Sequence, residues 1–166
     1  MNRIKKLGMS FVYAIRGIIY CLRHERNVRI HIVALIYVLF FSSFYEFSKS
    51  EYAILVLTCA VVIALELLNT AIEVVIDKVS PKFSVFAMIG KDIAAGGVLI
   101  GALGAVVVGV TLFWDIAVFR KIFEYFISDW YKPVILLFSA VLSVLFIGKT
   151  KRRGGNAAKM LDEKED

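Results

Sequence analysis

The segment ELLNTAIEVVID, residues 66–77, places polar side chains within one of the most apolar stretches of the chain. On an α-helix, which turns by about 100° per residue, these polar residues fall within one narrow stripe: Glu66, Asn69, Glu73 and Asp77. Apolar side chains cover most of the remaining circumference. A charge at bilayer depth costs at least about 2.5 kcal/mol on insertion scales, so a stripe of carboxylates needs cations, protons or water nearby.

A structural explanation of this stripe is also open. The polar residues could only join helices, or they could lie beyond the membrane end if the span stops near Thr70. Ionisable residues inside a membrane are a functional hypothesis by default. We therefore favour a functional site that lies toward the cytoplasmic end of the helix.

Composition places this stripe in an all-α integral membrane protein. The chain has 166 residues, 60% of them hydrophobic, and a mean hydropathy of +0.77. A membrane-spanning helix needs about 20 predominantly apolar residues. Runs of suitable length predict spans near 30–47, 52–76 and 93–114, and a shorter run at 133–148 predicts a fourth.

The N-terminal segment predicts a helix that lies on the membrane surface. Apolar residues recur at helical spacing from Ile4 to Leu22, with lysines and arginines between them. Arg16 splits the apolar part, and no small-residue cleavage site follows, so a secretory signal is not favoured. A basic amphipathic helix of this kind lies in the headgroup layer.

The distribution of lysine and arginine predicts the orientation. Basic residues concentrate before the first span, in the second connection and after the fourth span. Cytoplasmic flanks retain positive charge, so four spans with both termini in the cytoplasm fit this distribution. The net charge of +6 indicates anchoring to anionic lipid, and we expect no nucleic-acid partner.

Two further clusters suit phosphate chemistry. Lys91 and Asp92 stand at the entry to the third span, where a lysine close to carboxylates could neutralise phosphoryl oxygens. A phosphate-binding P-loop is excluded because Val85 stands where its first glycine should be. Glu25 lies among arginines. The segment is either a solvated basic hinge that carries an incidental acid, or it supplies Glu25 as a second carboxylate for a magnesium ion.

We assign no chemical role to the glycines of the third span or to the two histidines. Gly97 and Gly101 have the spacing of close helix packing. His24 and His31 have no spacing that suggests zinc, and we interpret them as interfacial or cytoplasmic polar side chains.

The motifs E-L-L-N-T-A-I-E-x-x-I-D, A-x-x-x-K-D-x-A-A-G-x-V and A-x-R-G-I-x-Y-x-x-R-H-E-x-N-x-R closely resemble those of the prokaryotic diacylglycerol kinase family. The resemblance covers about residues 3–115. It implies a small integral membrane kinase that assembles as a homotrimer, with an amphipathic surface helix and three spans per subunit. The cosubstrate would be ATP with Mg²⁺.

The same resemblance implies roles for individual residues. Glu66 corresponds to the general base, and Asn69 to a polar residue that supports the site. Glu25 and Glu73 correspond to Mg²⁺ ligands. The implied nucleotide contacts are Glu25, Glu73, Lys91 and Asp92, with weaker contacts from Lys6 and Tyr13 on the surface helix.

The chain departs from the three-span pattern after Trp114. We predict a kinase core at 1–115, an extension at 116–148 with an amphipathic segment and the fourth span, and a disordered cytoplasmic tail at 149–166 that is first basic and then acidic. The motif wording resembles the undecaprenol kinase branch. Its activity would supply undecaprenyl phosphate for carrier recycling at the bacterial cytoplasmic membrane, and diacylglycerol is the alternative lipid alcohol.

Two other classes of function remain as alternatives. Glu66 and Glu73 could line a path for cations or protons, although residues 53–65 then offer only Thr58 and Cys59 as polar groups. A noncatalytic scaffold held together by its glycine face would tolerate neutral replacements of both glutamates.

Overall fold

The computed structural model describes residues 3–82 and 84–149, which form α-helices and no strand. The helices follow the order α1 (Arg3–His24), α2 (Arg26–Ser42), α3 (Lys49–Val79), α4 (Val85–Phe113), α5 (Ile116–Ile127) and α6 (Tyr131–Gly148). The all-α prediction is therefore confirmed. Apart from Lys149, the predicted disordered tail lies outside the described residues.

The N-terminal helix α1 is the predicted amphipathic helix. Its apolar face is uncovered, since Leu7, Phe11 and Ile15 are each more than half exposed. Such a face requires an apolar partner, and the headgroup and acyl boundary of a bilayer supplies one.

Within the described part of the chain, three helices are long and apolar enough to cross a membrane: α3, α4 and α6. Two of them correspond to the predicted second and third spans, and α6 corresponds to the predicted fourth. The first predicted span, 30–47, is wrong at both ends, because α2 has 17 residues and covers Arg26–Ser42.

The early end of α2 has a local cause. Its last turn tightens, because the N–H groups of Ser43 and Phe44 bond three residues back, at 3.2 and 3.1 Å. The Tyr45 hydroxyl then donates to the Phe113 carbonyl at 2.8 Å, which ties this corner to the end of α4. Ser48 and Glu51 form a capping box that starts α3. Residues 43–47 therefore form a packed corner, in which the rings of Phe44, Tyr45 and Phe47 contact other aromatic rings.

Helices α3 and α4 form a closely packed antiparallel hairpin. A methyl group added at Gly101 would lie 2.5 Å from Leu65 Cδ1, and one at Gly90 would lie 3.0 Å from Ile76 Cδ1. No atom comes within 4 Å of such a methyl at Gly97. The predicted packing role therefore holds for Gly101 against α3, whereas Gly97 faces open space.

The extension packs against the core through α6. The hydroxyl groups of Tyr37 on α2 and Ser139 on α6 are 2.9 Å apart. About two turns toward the start of α2, Arg29 donates to the carbonyl of Phe146. The two helices therefore run antiparallel, and α6 ends beside the beginning of α2. The same end of the bundle holds the end of α1, the end of α3 and the start of α4.

Candidate functional site

The centre of the candidate site is the buried carboxylate of Glu66. It lies on α3 with 3% of its surface exposed. His31 on α2 faces it, with Nε2 3.4 Å from Glu66 Oε1. The side chain of Asn27, one turn earlier on α2, also lies within hydrogen-bonding reach of this carboxylate. The carboxylate therefore points into a polar contact with α2 and away from lipid.

Glu25 is the single residue between α1 and α2. Its extended backbone, with φ −107° and ψ 123°, makes it the N-cap residue of α2, yet its side chain forms no capping hydrogen bond. Its N–H donates to the Cys21 carbonyl at 2.8 Å. Glu25 lies close enough to Glu66 for the two side chains to interact electrostatically. The structure therefore brings together two of the predicted carboxylates.

Asn69 connects the buried and the more exposed parts of the stripe. It lies one turn from Glu66, and its Nδ2 donates to Glu73 Oε1 at 3.1 Å. Its side chain is 9% exposed. The other amide atom, Oδ1, is buried and has no hydrogen-bond partner within the described residues. An oxygen in this position can accept from a ligand or coordinate a cation.

The oxygen atoms at this end of the bundle are of the type that Mg²⁺ binds. This ion favours oxygen ligands and takes one or two carboxylates together with substrate phosphates. Glu25, Glu73 and the buried Asn69 Oδ1 supply oxygen atoms of the required kind. Residues 3–82 and 84–149 contain no group of three or more histidine, cysteine, aspartate or glutamate residues able to hold a metal by themselves. The oxygen atoms present are therefore of the type that Mg²⁺ binds, and phosphate oxygens would have to complete the ligand set.

Lys91 is held at the mouth of the site by an ion pair with Asp77. The pair joins the first turns of α4 to the last turns of α3, and both side chains are more than a third exposed. Asp92 is exposed beside it. Lys91 thus points toward the solvent-facing end of the polar stripe.

The weaker predicted nucleotide contacts lie on α1. Tyr13 is 57% exposed and lies about 18 Å along the helix axis from Glu25. Lys6 lies on the same helix, but its side chain lies outside the described residues. The structure therefore does not bring Tyr13 into contact with the Glu66 cluster.

Two site residues, Asn27 and His31, were missed by the sequence interpretation. The sequence interpretation took His31 as an interfacial or cytoplasmic polar side chain, and it did not foresee the contact with Glu66. A signal was present in the sequence. Asn27 and His31 are four residues apart, so they share one face of α2.

An apolar groove leads away from His31 between α2, α3 and α4. Its volume is about 340 Å³, and its lining runs from His31 through Leu35, Val62 and Val108 to Phe113. Thr58 and Cys59 are polar members of this lining. The groove can therefore hold a hydrocarbon chain whose polar end lies beside Glu66.

Residues 12–113 match the family described as prokaryotic diacylglycerol kinase. A protein named diacylglycerol kinase from Synechocystis sp. is 42% identical over 104 residues, which are 62% of this chain and 59% of that protein. A protein named undecaprenol kinase from Bacillus subtilis is 38% identical over 112 residues, which are 68% of this chain and 91% of that protein.

The two relatives differ in how much of their length is matched. The similarity spans about three fifths of the Synechocystis protein and nearly all of the Bacillus protein. No solved structure matches the chain. The family match ends at residue 113, so α5 and α6 lie outside it.

Proposed function

The chain belongs to the prokaryotic diacylglycerol kinase family, a family of lipid kinases, and we propose that it transfers the γ-phosphate of ATP to the primary hydroxyl of undecaprenol. The products are ADP and undecaprenyl phosphate, a carrier lipid for cell-wall polymers. Diacylglycerol, which would give phosphatidic acid, is the second candidate acceptor.

The observation that carries this proposal is the position of Glu66 at one end of an apolar groove. The carboxylate is buried beside His31, and His31 also lines the groove. A lipid alcohol has a matching shape, since its hydroxyl can reach the carboxylate while its hydrocarbon chain fills the groove. A path for ions would need polar groups along this lining, which is predominantly apolar.

In the proposed reaction, the hydroxyl oxygen of the lipid forms a bond to the γ-phosphorus of ATP. The bond from that phosphorus to the β–γ bridging oxygen breaks, and the bridging oxygen leaves with ADP. Glu66 accepts the hydroxyl proton as general base. Asn27 and His31 hold the carboxylate in place, and this matters because phosphoryl transfer depends mainly on alignment and charge neutralisation.

The nucleotide would be bound at the solvent-facing end of the stripe. Lys91 neutralises phosphoryl oxygens after exchanging its contact with Asp77 for the nucleotide, and Asp92 contacts the nucleotide nearby. Glu25 and Glu73 hold Mg²⁺, with Asn69 orienting the Glu73 carboxylate. When bound, Mg²⁺ supplies positive charge that screens the phosphate oxygens. Lys6 and Tyr13 contribute weaker nucleotide contacts from α1.

The choice of acceptor rests on sequence. The motif R-H-E-x-N-x-R-I-H, at 23–31, resembles the undecaprenol kinase branch. The similarity also covers 91% of the protein named undecaprenol kinase. The 42% identity to the protein named diacylglycerol kinase favours the second candidate. Both acceptors present a primary hydroxyl, so the catalytic residues are the same for either.

The proposed setting is the bacterial cytoplasmic membrane, with the site end and both termini in the cytoplasm. Basic residues concentrate at this end in the sequence. We also propose a homotrimer. The most apolar segment of α4 has no buried residue within a single subunit, so lipid or neighbouring subunits must cover it.

A direct assay tests the proposed function. Purified full-length protein is supplied with Mg²⁺ and ATP in mixed micelles that contain either undecaprenol or a diacylglycerol, and phosphate incorporation into each lipid is measured. We expect faster transfer to undecaprenol. Preference for diacylglycerol would select the second candidate, and transfer to neither by folded protein would refute the kinase proposal.

A further inference from the structure

Arg29 is a buried cation that joins the ends of two other helices. Only 4% of the Arg29 surface is exposed. The guanidinium donates to the carbonyls of Leu22 and Arg23, each at 2.5 Å, and to the carbonyl of Phe146 at 3.0 Å. These acceptors lie in the last turns of α1 and α6, where carbonyls have no partner within their own helix.

Arg29 lies at the unfavourable end of its own helix for a positive charge, and its side chain reaches the favourable ends of two others. Arg29 lies in the first turn of α2, where the helix dipole disfavours positive charge. Its side chain instead reaches the negative ends of α1 and α6, where a cation is favourable. The guanidinium can serve both ends because it presents several donors in a fixed fork.

A second set of contacts keeps α6 in this position. The Phe146 ring lies over the guanidinium, with its centroid 5.6 Å from Cζ. About two turns along α2, the Tyr37 hydroxyl contacts the hydroxyl groups of Ser139 at 2.9 Å and Ser143 at 3.4 Å. Two attachments separated by this distance fix both the register and the direction of α6 on α2.

Glu25 lies next to the backbone that Arg29 holds. It directly follows the last turn of α1 and directly precedes α2, and Arg29 holds the carbonyl of Arg23, two residues before it. A shift of Arg29 would therefore move the backbone that carries the Glu25 carboxylate. The contact with Phe146 restrains Arg29 from the side of α6.

We propose that α6 is a positioning element for the nucleotide site, and that it acts through Arg29 on Glu25. This inference rests on the proposed function, in which Glu25 binds Mg²⁺ together with ATP. It assigns a role to a helix that lies outside the family match at 12–113. Arg29 is a positioning residue, since it contacts helix ends and not the reacting atoms.

The test uses full-length protein with the double substitution Tyr37→Phe and Phe146→Ala. These changes remove the side-chain contacts that hold α6 against α2. The matched control is Phe138→Ala, the same replacement on α6 at a side chain that is 63% exposed. The primary measurement is the Kd of a nonhydrolysable ATP analogue with Mg²⁺, by equilibrium dialysis without any lipid acceptor.

We expect the double variant to raise this Kd about tenfold, since it loses a cation–π contact and a hydrogen bond. The KM for ATP should rise in parallel, while the KM for lipid and kcat at saturating ATP change by less than about twofold. Cys21 is 7% exposed in the last turn of α1. Its alkylation, mapped by mass spectrometry, should accelerate in the double variant and not in the control.

If the folded double variant kept the parent's Kd for the ATP analogue and the parent's rate of Cys21 alkylation, the inference would be overturned. An equal loss in the affinities for nucleotide and lipid would also overturn it, because that result indicates general loosening of the fold. Failure of the proposed function would be seen separately, as a parent protein that transfers no phosphate to either lipid.

Discussion

His31 and Glu66 lie on different helices, and their side chains meet with 3.4 Å between Nε2 and Oε1. This contact joins α2 to α3 at the point where the apolar groove ends. It places an imidazole ring beside both the proposed general base and the proposed hydrocarbon chain.

Replacing Glu66 by Gln should reduce kcat by a factor of about 10² to 10⁴, the range typical of general acid–base catalysis. Nucleotide affinity should be retained, because Glu66 lies deeper than the residues assigned to the nucleotide. The measurements are kcat in mixed micelles and the Kd of a nonhydrolysable ATP analogue with Mg²⁺. Glu124→Gln, on an exposed position of α5, is the control. Parent-like kcat in Glu66→Gln would remove the base assignment.

Replacing His31 by Ala should lower kcat by about 10- to 100-fold, because a buried carboxylate loses a partner worth about 1.5–3 kcal/mol. His31→Gln keeps a donor and should recover part of this loss. Nucleotide affinity should be retained in both variants. A loss that is identical for Ala and Gln would show that donation to Glu66 is not the role of His31.

Replacing Asn69 by Leu should raise the Mg²⁺ concentration needed for half-maximal activity. The substitution removes the hydrogen bond that orients Glu73, and the loss of such an outer partner typically costs about 10- to 100-fold in metal affinity. The measurement is a Mg²⁺ titration at fixed ATP. Thr70→Val, which changes a buried neighbour on the same helix, is the control. An Mg²⁺ requirement equal to that of the parent would separate Asn69 from the metal site.

The Lys91–Asp77 pair predicts unequal effects for its two members. Lys91→Met should lower kcat/KM for ATP by about 100-fold, because it removes a charge that faces the phosphates. Asp77→Asn should change it by less than about fivefold, because ion pairs this exposed contribute about 0–1 kcal/mol. Equal losses would mean that the pair acts as a structural unit and that Lys91 has no separate role with nucleotide.

Gly101 predicts a packing effect that is independent of catalysis. Gly101→Leu should destabilise the α3–α4 hairpin by about 1–3 kcal/mol, as overpacking does elsewhere, since even a methyl group would lie 2.5 Å from Leu65 Cδ1. Thermal unfolding in detergent measures this effect. Adding Leu65→Ala should restore much of the loss, because it opens the space that the new side chain needs. Without such a rescue, the contact with Leu65 is not the reason for glycine at this position.

Several features of the protein follow from the sequence because they depend on local patterns. The amphipathic helix α1, the apolar helices α3, α4 and α6 and the amphipathic helix α5 are set by periodicity and hydropathy, which act within each segment. The polar stripe is equally local, since helical geometry alone aligns Glu66, Asn69 and Glu73. Family motifs in the same segments then indicate a lipid kinase.

Other features depend on which helices meet, and only the tertiary structure decided them. The partner of Glu66 proved to be His31, a residue 35 positions away on a different helix. Hydropathy also placed the end of the first span too late, because it does not register the tightened turn and the bond from Tyr45 to Phe113 that end α2. Likewise, Arg29 belongs by sequence to a basic hinge, and its role in joining α1 to α6 arises from contacts 117 residues apart. Such contacts depend on the register of one helix against another, and the periodicity within a single helix does not specify that register.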